Sequence, residues 1–218
     1  MGRISAVCLM ILAGAALGPA GPCFAQEEVD LDGRGSIGAS GGLMLFTGDE
    51  DMSDEAQPRL LGHFNMKYVI SPNLALAGTF GRGWNSYSGR GDTLTVIEPV
   101  TFGIEYRHNF EQWPRYQPHG GVGVGVYSVY IRDYLTTTRD PITLESRHTL
   151  NWGMNFGVGL EYFMTRAVTV NYDFVWHYIF SENKEDFVAE YGENDSYVQF
   201  VVGVNYYFSL GILSGGRE

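Results

Sequence analysis

From about residue 36 onward the sequence alternates with a period of two, and its two faces are unequal. Near the C-terminus Val198, Phe200, Val202, Val204, Tyr206 and Phe208 alternate with Gln199, Val201, Gly203, Asn205 and Tyr207. Upstream, Val168, Val170, Tyr172, Phe174, Trp176, Tyr178 and Phe180 alternate with Thr169, Asn171, Asp173, Val175, His177 and Ile179. Before that, Leu150, Trp152, Met154, Phe156, Val158, Leu160 and Tyr162 alternate with Asn151, Gly153, Asn155, Gly157, Gly159 and Glu161. Alternation of this kind belongs to strands whose side chains point to opposite faces of a sheet. A water-soluble sandwich would turn its charged face outward and pack bulk against bulk inside. Here the bulky face is nearly all apolar and aromatic, while the other is Gly, Asn, Thr and scattered charge. That suits a small membrane barrel, whose inward residues must fit a narrow lumen.

The same rule holds, with more noise, for Leu94, Val96, Val100, Phe102, Ile104 and Tyr106; for Leu60, Phe64, Met66, Tyr68 and Ile70; and for Val122, Val124 and Val126. Segments 36–46 and 74–84 supply two weaker strands rich in Gly and Ala. The expected fold is all-β: an eight-stranded antiparallel up-and-down transmembrane β-barrel, with strands of about 10–14 residues. Glu98 breaks the apolar face beside Pro99, and that pair predicts a bulge or the strand's exit from the apolar layer. The 29 glycines argue against a helical bundle. No run of about 18 apolar residues exists to cross a bilayer as a helix.

Connections alternate in length. Segments 71–73 and 165–166 are tight and 109–118 is the longest link on that side; 47–58, 85–92, 132–146 and 181–195 are long and polar. Short turns at one end and long loops at the other are the pattern of membrane barrels. Aromatics gather at both ends of the strands: Tyr68, Tyr106, Tyr162 and Phe208 on the short-turn side, Trp84, Trp152 and Trp176 on the other. These read as interfacial girdles.

Residues 1–25 read as a cleaved signal peptide: Arg3, an apolar run Ala6–Leu17, a Gly18-Pro19 break, and small residues ahead of Gln26. A lipoprotein acylated at Cys23 is the rival reading; Pro22 and the missing upstream Leu count against it. Both cysteines, Cys8 and Cys23, fall in this segment, so the mature chain offers no thiol chemistry. The expected organisation is a signal peptide at 1–25, a short segment at 26–35, the barrel at 36–210 and a short tail at 211–218.

Three stretches carry a family resemblance. Tyr116-Gln-Pro-His-Gly-Gly-Val-Gly-Val-Gly-Val-Tyr127 resembles a glycine-repeat strand of small outer-membrane barrels of Gram-negative bacteria. Gly157-Val-Gly-Leu-Glu-Tyr-Phe-Met-Thr-Arg-Ala-Val168 looks like their hairpin into the next-to-last strand. Val204-Asn-Tyr-Tyr-Phe208 is similar to their C-terminal aromatic signal, although Ser209–Glu218 follow it here. The chain thus resembles the eight-stranded OmpA, OmpX and OmpW types. The resemblance implies residence in the cell outer membrane after export through the periplasm. It also implies contact with outer-membrane lipid and lipopolysaccharide, and handling by barrel-assembly machinery.

Lys67, Glu105, Arg107 and Glu161 fall two to four residues from the short-turn ends of their strands, on the inward side. Two positive and two negative groups at one depth predict a compensated network, since buried charge is tolerable only when paired. Such a layer would act as a plug. His63, Asp173 and His177 also point inward; a carboxylate near imidazoles has the look of a catalytic site, but polar filling of a narrow lumen is the reading adopted.

No catalytic, cofactor or metal site is expected. Gly33–Gly38 matches Gly-x-Gly-x-x-Gly in letters yet lacks the strand before and the helix after it that a phosphate loop needs. No histidine pair has zinc-helix spacing. Acidic stretches 47–58 and 181–195 offer carboxylates to divalent cations such as calcium, without EF-hand spacing. A net charge of −11 argues against nucleic acid as a partner. The expected function is therefore non-enzymatic: envelope structure, surface interaction, or narrow passage of small solutes. The alternatives are passage of small hydrophobic molecules, as in the OmpW type, and an outer-leaflet lipid-modifying enzyme. Against the second, no histidine here has Ser two positions later, as barrel lipid A deacylases do.

Overall fold

The computed structural model describes residues 30–47, 56–57, 59–87, 93–133, 136–137, 148–180 and 194–210. The expected signal segment, the tail, and most of the stretches 47–58 and 181–195 lie outside the described residues. Eight long strands form the molecule: β1 (Arg34–Phe46), β2 (Arg59–Ser71), β3 (Leu74–Tyr87), β4 (Thr93–Arg107), β5 (Tyr116–Asp133), β6 (His148–Phe163), β7 (Val168–Phe180) and β8 (Asn194–Ser209). Each pairs antiparallel with its neighbours in sequence. β8 then pairs with β1, from Arg34↔Ser209 to Phe46↔Tyr197, and the sheet closes into a barrel without edges. Two-residue strands Ala56–Gln57 and Thr136–Thr137 lengthen the ladder beside β3 and β5.

β1, β2, β3 and β7, at 13 or 14 residues, have the expected length, whereas β4, β5, β6 and β8 run to between 15 and 18. Backbone pairing continues beyond the apolar band, through residues such as Arg132 and Asp133 that no hydropathy period marks. β1 likewise starts at Arg34, two residues before the expected barrel boundary.

The bulky parity faces outward. Leu60, Met66, Phe80, Phe102, Val124, Trp152, Val202 and Tyr206 all leave more than two-fifths of their surface uncovered, the dress of a wall that meets lipid. Val96 departs from this: it has outward parity but is buried, at 1% exposed. The expected bulge at Glu98-Pro99 is absent. Across β3–β4 the register is the same on both sides, Phe80↔Val100 and Gly83↔Ile97, and β4–β5 pairing runs unbroken through both residues. Pro99 has no N–H to give, so ladder pairing lapses at Gly81-Arg82 opposite Glu98-Pro99 without a change of register.

Tight links confirm the sidedness of the turns. Pro72-Asn73 joins β2 to β3, and the Asn73 carbonyl accepts from Arg107 N–H at 2.9 Å. Thr165 Oγ1 accepts from the Val168 and Ala167 amides, closing the β6–β7 link at 164–167. All these links lie at the end where Arg34 and Ser209 meet.

Candidate functional site

The lumen is built in four layers. At the short-turn mouth, Val69, Ala75, Phe163 and Tyr207 pack around Leu31, which enters from below β1. A turn at Gly33, in the left-handed region at φ 69°, folds Leu31 inward. It is held by Gly33 N–H to the Val69 carbonyl and Arg34 N–H to the Leu31 carbonyl, each 3.0 Å.

Above this lies the charged layer, where all four expected residues meet. Lys67 Nζ stands 3.0 Å from Glu105 and 3.8 Å from Glu161. Arg107 Nε is 3.3 Å from Glu105, and Arg107 Nη2 pairs directly with Glu161. Arg107 and Glu161 are fully buried. Glu161 also accepts from Tyr207 Oη at 2.9 Å, from Asn205 Nδ2 at 2.9 Å, and from Thr169. Two cations and two anions cancel, and the hydrogen bonds satisfy the carboxylate that carries most of the layer; burial is tolerable on those terms.

The third layer is a cavity of about 120 Å³. Small inward residues of β3 to β6 leave the space: Ala77, Gly103, Gly121 and Gly157. Polar residues line it from all eight strands, among them Ser40, His63, Glu105, His119, Asn155 and Asn171. His63 and His177 line it as their parity indicates, but Asp173 pairs with neither. It bonds His119 Nε2 at 2.7 Å and takes a second bond from Asn171. His177 Nδ1 instead meets Tyr127 Oη at 2.9 Å, and its ring stacks on Tyr197 with centroids 4.3 Å apart. His119, which lines the cavity, and Tyr127 and Tyr197, which meet His177 from the next layer, are residues that the sequence did not single out. The signal was available for His119, because its parity within the glycine-repeat strand puts it inside. Ser40, which also lines the cavity, accepts from Asn65 Nδ2 at 3.1 Å. Among the described residues, no group of three His, Cys, Asp or Glu side chains is placed to hold a metal ion.

The fourth layer is apolar. Met44, Phe46, Leu61, Ile97, Tyr127, Val129, Ile179, Tyr197 and Val201 fill the lumen towards the long-loop end. A lumen-facing set this apolar was not expected from the Gly and Asn faces nearer the short turns.

The family model described as the outer membrane protein beta-barrel domain matches residues 5–208. The chain belongs to this family. Solved outer-membrane barrels share the fold. Neisserial surface protein A aligns with a TM-score of 0.61 at 14% identity, covering 81% of this chain and 100% of that one. The attachment invasion locus protein of Yersinia pestis gives 0.51 at 13% identity, over 81% of this chain and 99% of its own. The N-terminal β-barrel domain of Pseudomonas aeruginosa OprF gives 0.50 at 13%, over 81% and 98%. At such identities the likeness is one of fold alone. No curated protein compared with the chain matches it. As an outer-membrane barrel, the molecule has its bulky wall in lipid and its four layers in the protected interior.

Proposed function

We propose that this outer-membrane barrel is a non-enzymatic envelope protein that holds its long acidic loops at the cell surface, and that its lumen does not serve as an open pore. The observation that carries the reading is the filling of the lumen at two levels: the charged layer over Leu31 at one end and the nine-residue apolar layer at the other. An eight-stranded interior is only just wide enough for its own side chains. On this reading, residues 1–25 direct export through the periplasm, barrel-assembly machinery inserts the chain, and divalent cations gather at the acidic loops. The test is conductance in planar bilayers: the pure protein should leave the bilayer silent. Regular open-state steps would overturn the reading.

A second reading, passage of small hydrophobic molecules through the wall, draws on the pairing lapse between β3 and β4 opposite Pro99. Cysteines at Phe80 and Val100, cross-strand neighbours beside the lapse, could be oxidised to lock that seam. If such molecules cross there, locking should stop their uptake into vesicles; unchanged uptake would remove this reading.

A further inference from the structure

Beside the pairing lapse, the lipid-facing wall carries two opposite charges. Arg82 has outward parity on β3, between Phe80 and Trp84, and Glu98 has outward parity on β4 beside Val100. The flanking pairs Phe80↔Val100 and Gly83↔Ile97 set Arg82 opposite Glu98. Their side chains are 43% and 27% exposed, so this pair is not interior structure. Arg82 Nε donates to Glu98 Oε1 at 2.7 Å, and Arg82 Nη2 reaches both Glu98 and Tyr130 Oη. Tyr130 Oη in turn donates to Glu98 Oε1 at 3.1 Å. These bonds use one carboxylate oxygen and two guanidinium nitrogens. Nη1, a donor carried by β3, and Oε2, an acceptor carried by β4, take no part in them.

Both groups lie inside the apolar band. Each stands eight positions from the Leu74↔Tyr106 pair at the short-turn rim. At about 3.3 Å per residue and about 40° of tilt, that is roughly 20 Å up a band about 25 Å tall. Acyl tails neither donate nor accept, so the spare donor and acceptor have no partner among them. Ionisable groups within a membrane pair with protein instead. Neutrality narrows the occupant further. A pair without net charge selects neither an anion nor a cation. It matches a surface that carries the same pair reversed, with an acceptor opposite Nη1 and a donor opposite Oε2. A second copy of this chain supplies that surface. A twofold axis along the membrane normal, passing between β3 and β4, sets the β3 of each copy against the β4 of the other. Such an axis keeps both copies at one depth and one orientation. Arg82 and Glu98 stand one strand spacing apart, about 4.8 Å, so the reversed pair meets at matching height.

We propose that the outward wall of β3 and β4 is a contact surface between two copies of this barrel in the membrane. Nη1 of each Arg82 donates to Oε2 of the other copy's Glu98, and the two internal pairs join into a ring of four charges. Tyr130 holds both charged groups of its own copy in place. Phe80, Val100 and Phe102, each more than half uncovered, flank the axis and supply packing. Packing and polar bonds are what associate proteins in lipid, where apolar area alone drives nothing together. The second copy also covers the seam where ladder pairing lapses. The contact requires the barrel to stand in a bilayer and is independent of whether it conducts, so a conductance result cannot decide it.

The experiment measures energy transfer between donor-labelled and acceptor-labelled copies of the mature protein, diluted in vesicles of phosphatidylethanolamine and phosphatidylglycerol. Wild-type copies should pair well above the level of random encounter. Arg82→Gln should weaken pairing by about tenfold or more, the loss of charge-assisted contacts. Arg82→Glu and Glu98→Arg should each keep copies of their own kind apart. A mixture of the two should pair again, because two anions then face two cations; a strut within one barrel gains nothing from mixing. A cysteine at Val100 should cross-link between copies, and one at Phe156, outward on β6, should not. Gel mobility without heating checks that each variant has closed. Where the charge reversals do not close, Arg82→Gln and the two cysteines carry the test. Wild-type copies that stay single at every dilution would overturn the contact. So would pairing untouched by Arg82→Gln, equal cross-linking at both cysteines, or closed reversed variants that ignore each other. Pairs that separate when lipopolysaccharide is added would give the two groups to that headgroup and overturn it as well.

Discussion

Lys67 lies closer to Glu105 than to Glu161, while Arg107 touches both acids. Removing the Lys67 charge therefore leaves Glu105 short of its nearer cation. Lys67→Met should destabilise the barrel by about 3–5 kcal/mol, the usual cost of stranding a buried charge. Lys67→Met with Glu105→Gln should recover much of that, and Lys67→Met with Glu161→Gln much less, because Glu161 still serves Arg107. Urea unfolding of the single and double variants in lipid measures the coupling, and additive effects with both acids would show the four groups to be solvated separately. A second test concerns close approach. A Cβ at Gly42 would come within 1.8 Å of the Phe200 carbonyl oxygen, so β1 and β8 would have to part. At Gly62 the nearest atom is 4.0 Å away. Gly42→Ala should cost about 1–3 kcal/mol and Gly62→Ala close to nothing, read by the same unfolding assay. Parity and charge balance made the four-residue layer legible in advance. The His119–Asp173 pair was not: the two flank Gly159 in one row of next-but-one strands, and which residues share a row depends on register between strands, which no single strand records.

Among the elements, β8 shows what parity can and cannot say. Val202 is 51% exposed and stands four positions from the exposed Tyr206 near the short-turn rim, close to mid-membrane. Val202→Arg should cost about 2–4 kcal/mol in lipid, and Val202→Leu almost nothing; folding yield into vesicles checks both. By parity alone, Gly203→Ser should be the milder change, a small polar group entering a polar lumen. Its surroundings reverse that expectation: a Cβ there meets Asn171 Oδ1 at 2.6 Å and Ser40 Cβ at 2.7 Å. Which face a residue takes is written in its own strand; how crowded that face is depends on the strands opposite. The same division explains the Glu98-Pro99 expectation. Proline announced an interruption of pairing, but a bulge requires an extra residue in one strand, and the neighbouring registers leave no place for one.

At the scale of the whole molecule, an edgeless sheet in the outer-membrane family should behave as closed barrels do. Unheated samples should run faster than boiled ones on a denaturing gel, and circular dichroism should show β-structure with little helix. Cysteines at Asn73 and Thr165, on the short-link side, should escape labelling on intact cells. Those at Ser53, Gly89 and Asn183 should be labelled. The reverse pattern would invert the orientation. The architecture was legible because alternation, loop lengths and aromatic ends all come from one geometry. The apolar upper lumen was harder to see, since its members are single inward residues scattered over many strands. One feature of the closed sheet governs how the molecule comes into being. The ladder that joins Arg34 to Ser209 ties the first strand to the last. No part of that seam can form before β8 is in place, so a partly paired sheet has open strand edges on both sides. Contacts between such distant parts of a chain form slowly. Yield in the cell is then a race between closure and clumping, and a chain cut before Asn194 should lose that race outright, leaving aggregate rather than a smaller barrel.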